Sequence, residues 1–370
     1  MPALNLKYLK DLINFMKWAA ILVAFLLLLL AGAVQSEDQI KVGLVFSAGG
    51  RGGGGFNDAA FRGIEWAHET LGIEYKYAEP GAGGTDREEI LRTMASSDMD
   101  MVIGVGFLFT EAILTAAKDY PDVKFVCIDM AVEGISKLPQ NVVALNFKEH
   151  EGSFLVGAIA GLKTKSDIVG FVGGMEGPLI EKFEAGYYAG VKYVNPECQV
   201  LHAYAGVTVQ AFNDPAKGYE LALLLNRRGA DIIYHASGDT GRGVFKAAKE
   251  RGFYVIGVDR NQNYMGYDER AKKNWGLTSM EKRCDVAVYL TIESLVNGNF
   301  VSGINEYGLK DEIKIGDTTY KALDFSMDEY NENLLDEKTI ERANEIAELI
   351  INGKIKAPMN MKEAHEWYGA

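Results

Sequence analysis

Histidine and cysteine are scarce. The five histidines, His68, His150, His202, His235 and His365, are scattered without HExxH spacing, and no G-x-S-x-G elbow offers a serine nucleophile. Cys127, Cys198 and Cys284 are odd in number and widely spaced, and they read as small buried hydrophobes rather than a disulfide framework or metal site. His235 with Ser237, beside a strand end, is the nearest thing to a nucleophile and base, and it reads as ordinary loop chemistry. No enzyme is expected, and no cofactor or metal. Positive charge is also short: removing residues 1–33 takes three Lys and one Asp from 38 basic and 51 acidic residues, which leaves a net charge of −15. Such a surface repels nucleic acid.

Long apolar runs are missing too, except at the amino end. Lys7, Lys10 and Lys17 precede the apolar stretch Trp18–Ala31, and Ala31-Gly32-Ala33 is a small-residue cleavage pattern, as in an export signal. Residues 1–36 are therefore expected to be a signal peptide or, uncleaved, an N-terminal membrane anchor, since Trp18–Val34 reaches the lower limit of a spanning helix. Either way the rest is expected outside the cytoplasm: membrane-associated, periplasmic or secreted. That location argues against a nicotinamide enzyme. Roughly 337 residues remain, more than one core usually organises, so two lobes are expected.

Glycine is the one residue in local excess. Every residue from Gly49 to Gly55 is glycine except Arg51, and Gly50, Gly52 and Gly55 satisfy G-x-G-x-x-G between a strand pattern, "IKVGLVFSA", and a helical one, "FNDAAFRGIEWAHETLG". In so glycine-dense a stretch the dinucleotide motif is weak, and Glu74 and Glu79 are unspecific candidates for a ribose-binding acid.

Apolar strand runs alternate with helical segments along the rest of the chain, which predicts parallel sheets flanked by helices. Residues 98–129 and 229–259 follow one plan: Asp, strand, loop, a helix containing Ala-Ala-Lys, a second strand and a terminal Asp. Asp129 and Asp259 thus stand at the carboxyl ends of matched strands, where open α/β sheets bind ligands. If the two units face each other, both carboxylates meet in one cleft.

The stretches "GGGGFNDAAFRG", "MVIGVGFLFTEAILTAAKDYPDVKFVCID", "EGSFLVGAIAG", "FNDPAKG", "SGDTGRGVFKAAKERGFYVIGVDRNQ" and "LTSMEKRCDVAVY" resemble, in consecutive order over roughly residues 40–300, the basic membrane protein family of solute-binding lipoproteins, including the purine nucleoside receptor group. The resemblance implies an α/β type I periplasmic-binding fold, with two Rossmann-like lobes of parallel sheet joined by a three-crossover hinge. Crossovers are expected near Asn146-Phe147, after Asp259 and near Ser302-Gly303, giving residues 37–146 plus 260–301 to lobe I and residues 147–259 plus 302–370 to lobe II. It implies a binding protein that hands a nucleoside, purine by preference, or a related small molecule to the permease and ATPase of an ABC importer. The alternatives are a sensory or ligand-binding ectodomain for another small solute such as a sugar and, behind it, a Rossmann-type enzyme.

The matching motifs also imply a pocket. In it Asn57 hydrogen-bonds the base, Phe61 and Phe212 stack on its two faces, and Gly238 lets backbone approach. Asp129 accepts from base or ribose, Asp259 takes the ribose hydroxyls, and Lys282 bridges to Asp259 and the sugar. Two departures stand out: Gly53 replaces an Asp common among relatives, with Asp58 the nearest substitute, and Ala33 stands where lipoproteins carry the lipidated Cys.

Overall fold

Runs such as KVGLV, MVIGV and KFVCI are apolar on both faces, as strands covered by helices on both sides must be. In the computed structural model, which describes Lys10 and residues 15–19, 39–81 and 83–369, they form buried strands. The expected signal or anchor, residues 1–36, lies outside the described residues apart from Lys10 and 15–19. Among the described residues no helix is long and apolar enough to cross a membrane. The chain divides into Met1–Gln39 and a compact unit, Ile40–Ala370, that carries both sheets.

The strands that open the fold are β1 (Lys41–Val45), β2 (Glu74–Ala78), β3 (Met101–Val105), β4 (Lys124–Ile128), β5 (Val142–Phe147), β6 (Ile168–Met175), β7 (Gln199–Gly206), β8 (Ile232–Ala236) and β9 (Tyr254–Asp259). One six-stranded sheet runs Gly303–Tyr307, β5, β4, β3, β1, β2, every pair parallel. The other runs Leu323–Phe325, Gly276–Lys282, β9, β8, β6, β7, parallel except for the short first strand. Each is an open doubly wound sheet, whose ligand crevice lies beyond the strands' carboxyl ends.

The repeated unit is real down to its turns. In both halves a central strand passes through a short 3-10 turn (Phe107–Phe109, Gly238–Thr240) into a helix (Thr110–Asp119, Gly241–Arg251) and then a strand. The terminal acids share an unusual conformation: Asp129 has φ 57° and Asp259 φ 66°, both left-handed. Asp tolerates that region better than most residues because its short side chain bonds locally, but it remains a strained choice that the surroundings must hold in place.

The chain crosses between the halves three times, at places that differ in part from the expected boundaries. The first crossing follows Phe147, where β5 hands over to the helix Glu149–Lys163. Strand Gly276–Lys282, inside the segment assigned to lobe I, is paired with β9 in the second sheet, so that crossing falls after Lys282. The helix after it, Cys284–Val296, returns to pack on helix Phe56–Leu71, with Trp66 and Tyr289 rings 4.3 Å apart. Strand Gly303–Tyr307, assigned to lobe II, pairs with β5 in the first sheet, and the last crossing comes before Leu323. The misplacement has a physical cause. Gly276–Lys282 is a buried central strand with a polar sequence, in which Thr278 bonds to the Ser326 carbonyl (2.8 Å) and Ser279 to Asn263 (3.0 Å), so no apolar run marks it.

Candidate functional site

The glycine loop between β1 and helix Phe56–Leu71 forms one lip of a cleft between the halves. Two side chains in the helix's first turn hold it. Asn57 accepts from the Ser47 N–H (3.1 Å) and donates to the carbonyls of Ser47, Ala48 and Gly50 (3.3, 3.2 and 2.9 Å). Asp58 accepts from the N–H groups of Gly52 (3.0 Å) and Gly54 (2.6 Å). The loop's left-handed residues, Gly49, Gly50, Gly52 and Gly54, have φ of 93°, 58°, 93° and 72°, a backbone path that side-chain-bearing residues resist. Asn57 lines the cleft, but its amide is committed to the loop, and Asp58 likewise holds backbone.

The lip touches the opposite half. Gln262 Nε2 donates to the Gly54 carbonyl at 3.2 Å, and a Cβ placed on Gly53 would lie 2.8 Å from Asp239 Oδ1. An acid at position 53 would therefore abut another acid, Asp239, which already lines the cleft there.

Phe61 is not in the cleft. It lies 3% exposed in the core, its ring against Phe46, Tyr75 and Tyr77 at 6.0, 5.9 and 5.3 Å, with the Arg51 guanidinium carbon 3.4 Å from its centroid. Asn57 and Phe61 do share a helix face, as their spacing predicted, but it is the face that meets the loop and the sheet. The first residue of the helix, Phe56, reaches the cleft instead, and Phe107 and Phe183 join it. Phe56 and Phe107 each directly follow a glycine at a strand-to-helix turn, a signal the sequence did carry.

From the other half comes Phe212, at the end of a short turn, Val209–Phe212. Asp214 caps the next helix by accepting from Lys217 N–H (2.9 Å), with Pro215 at its first position. Thr240 Oγ1 donates to the Ala211 carbonyl and accepts from Asp214 N–H, both at 2.8 Å, so the Phe212 turn is tied to the Gly238 turn. Gly238 lines the cleft with φ 57°, and a Cβ there would lie 2.9 Å from the Phe212 carbonyl oxygen.

At the floor sits a buried charge cluster. Lys282 Nζ lies 2.6 Å from Asp129 Oδ2, 3.5 Å from Glu149 Oε1 and 3.7 Å from Asp259 Oδ1. All four residues are at most 6% exposed. Glu149, absent from the residues that the sequence singled out, is the first residue of the helix after the first crossover. Three carboxylates round one ammonium in a water-poor site cannot all ionise without cost. Burial, reinforced by Asp129, pushes Glu149 up to about 7 and Asp259 up to about 6 against the pull of Lys282. Burial alone would release the Lys282 proton, but the attraction of Asp129, Asp259 and Glu149 outweighs it and holds the ammonium well above its ordinary range. The rings of Phe56, Phe147 and Phe183, 4.8 to 5.5 Å away, add cation–π contacts. Asp129 Oδ1 and Asp259 Oδ1 are buried without a hydrogen-bond donor.

Of the seven residues singled out from the sequence, Asn57, Asp129, Phe212, Gly238, Asp259 and Lys282 line one cleft and Phe61 does not. His235 and Ser237 lie beneath it, fully buried. The imidazole sits 3.1 Å from Gln262 Oε1 and 3.3 Å from Ser237 Oγ, and burial depresses it to about 4. Among the described residues no cluster of His, Cys, Asp and Glu is arranged to hold a metal ion.

Two doubly wound halves that exchange the chain three times and enclose a cleft between their strand ends have the architecture of type I solute-binding proteins, which close about a hinge. The chain belongs to the Bmp family, described as ABC transporter substrate-binding protein PnrA-like, which matches residues 40–361. It is 34% identical to the CD4+ T-cell-stimulating antigen of Listeria innocua over 344 residues, covering 89% of this chain and 90% of that protein. It is 30% identical to the ABC transporter nucleoside-binding protein BmpA of Lactococcus lactis, covering 89% and 91%. A solved ABC transporter solute-binding protein from Aeropyrum pernix K1 superposes with a TM-score of 0.75 at 29% identity, over 88% of this chain and 96% of that one.

Proposed function

We propose that this substrate-binding protein captures an uncharged nucleoside in the cleft, outside the cytoplasm, and delivers it to the permease of an ABC importer. One observation carries the reading: Asp129 and Asp259, from opposite halves, each present a buried oxygen with no donor to the same ring-walled space. A ligand that supplies N–H or hydroxyl donors completes both. Each such charge-assisted bond is worth about 1.5–3 kcal/mol, and a base stacked between Phe56 and Phe212 adds ~1–3 kcal/mol per ring contact. Lys282 pairs with one oxygen of Asp129 and leaves the second to the ligand. The excess of buried carboxylate disfavours phosphate, so nucleosides are favoured over nucleotides. The name of the Lactococcus lactis relative agrees with this ligand class, and relatives from Pyrococcus are named lipoproteins, in keeping with a place outside the cell membrane.

Isothermal titration with purine and pyrimidine nucleosides, free bases, pentoses and nucleoside monophosphates tests the proposal. Nucleosides, purines foremost, are expected to bind without turnover; heat from none of them, or from pentoses alone, would overturn it.

A further inference from the structure

Behind the charge cluster a second cavity adjoins the cleft, sharing Phe107, Asp129, Leu179 and Ile180 with it. It lies against the first crossover, between Asn146 and Glu149 on one side and the start of helix Pro178–Val194 on the other. Lys182 and the first turn of that helix also line it, yet several buried acceptors of its inner wall have no donor among the described residues. Both Glu149 oxygens, Asn146 Oδ1 and Asp129 Oδ1 are buried without a hydrogen bond. Glu149 is fully buried and Asn146 is 7% exposed, its Nδ2 spent on the Met130 carbonyl at 2.8 Å. The cations nearest Glu149, Lys282 at 3.5 Å and Lys182 at 3.8 Å, approach without a hydrogen bond to it. At the outer rim Glu133 and Glu176 are exposed.

We propose that this side chamber is a subsite for a hydrogen-bond-donating, non-anionic substituent, an amine or hydroxyl, carried by the ligand of the main cleft. The inference rests on the nucleoside reading and extends it. The acceptors are fixed in place before any ligand arrives, and buried acceptors left unpaired are costly. The carboxylates of Asp129, Glu133, Glu149 and Glu176 line the chamber against the single ammonium of Lys182, which disfavours phosphate and carboxylate. A ligand that fills only the ring-walled cleft leaves the Glu149 and Asn146 oxygens unsatisfied, whereas one that branches past Asp129 satisfies them. The preferred ligand is therefore a nucleoside bearing an amino or hydroxyalkyl branch, and the bare nucleoside is the weaker binder.

Calorimetry of the purified protein with adenosine, 5′-amino-5′-deoxyadenosine, N6-(2-aminoethyl)adenosine and adenosine 5′-monophosphate tests this. At least one amine-bearing compound is expected to bind about 10-fold or more tightly than adenosine, the gain one charge-assisted hydrogen bond supplies, while the monophosphate shows no gain. In Glu149→Gln and Asn146→Leu the ratio of amine-bearing to parent affinity is expected to fall toward one; the ratio within each variant cancels general effects on the cleft, and circular dichroism confirms folding. If adenosine binds and neither amine gains over it, or if the gain survives both substitutions, the chamber holds only water and the inference is overturned while the nucleoside reading stands. If no compound binds, the nucleoside reading falls and the inference with it.

Discussion

Lys282 Nζ and Asp129 Oδ2 stand 2.6 Å apart, one on a strand of the second sheet and the other at the end of a strand of the first. The ion pair thus joins the two halves at the floor of the cleft, and it does so where both groups are almost fully buried. Removing one partner of such a pair leaves an uncompensated buried charge, which costs about 3–5 kcal/mol. Lys282→Met is expected to lower unfolding stability by an amount of that order, and Lys282→Met with Asp129→Asn to recover much of it. Urea unfolding of both single variants and the double variant gives the coupling energy.

The same cluster sets a pH dependence. Glu149, raised to about 7, binds a proton more tightly folded than unfolded, so between its ordinary range and about 7 the native state holds more protons. Its contribution to stability is therefore fully present at low pH and is lost as pH rises through about 7. The buried imidazoles His150 and His235, both depressed to about 4, act in the opposite sense over about pH 4 to 6.5. The clean observable is the difference between proteins: relative to the wild type, Glu149→Gln is expected to gain stability steadily as pH rises from about 4.5 to 7. A difference independent of pH would mean that Glu149 does not titrate in the folded protein.

Ligand binding should follow Asp259. Burial raises it to about 6, and a protonated carboxyl loses acceptor capacity toward the ligand's donors. Nucleoside affinity is expected to weaken as pH falls below about 6. Asp259→Asn should weaken it by about 10- to 150-fold at neutral pH, the loss of one charge-assisted bond, and flatten the profile. Titrations between pH 5 and 8 read both effects.

Two phenylalanines on one helix, Phe56 and Phe61, should separate stability from binding. Phe61 is packed among Phe46, Tyr75 and Tyr77, so Phe61→Ala is expected to cost ~3–5 kcal/mol of stability. Phe56, half-buried and lining the cleft, should lose instead one stacking contact, or ~1–3 kcal/mol of affinity, when changed to Ala. Thermal unfolding and calorimetry on both variants check the assignment.

The contrast between these two rings shows what was legible in the sequence and what was not. The repeated strand–turn–helix–strand unit could be read because its apolar runs and terminal acids are local, and it brought Asp129 and Asp259 to one cleft. The inner face of helix Phe56–Leu71 could be read as a face, but nothing local says whether that face meets ligand or sheet. Strand Gly276–Lys282 escaped because buried Thr278 and Ser279, satisfied by distant partners, interrupt its apolar residues, and the lobe boundary moved with it. Glu149, between Lys148 and His150 in "KEHEG", reads as a solvated helix start. Only the crossover after Phe147 turns it into the interior.

Position 53 offers a test of how the halves close. A Cβ on Gly53 would lie 2.8 Å from Asp239 Oδ1, so Gly53→Asp sets two carboxylates against each other across the lip. Like charges at such a distance repel, and the loop cannot yield freely while Asp58 and the Gln262–Gly54 hydrogen bond hold it. Asp239 itself is partly neutralised by Arg242 at 3.2 Å, which softens the repulsion without removing it. Gly53→Asp is therefore expected to weaken nucleoside binding, chiefly through faster release, because closure is what it opposes. Adding Asp239→Ala should restore affinity, since the new acid then takes the place of the old one. Stopped-flow release rates for wild type, Gly53→Asp and the double variant decide the matter: release unchanged in the single variant would show that the lips do not meet at this point in the bound protein.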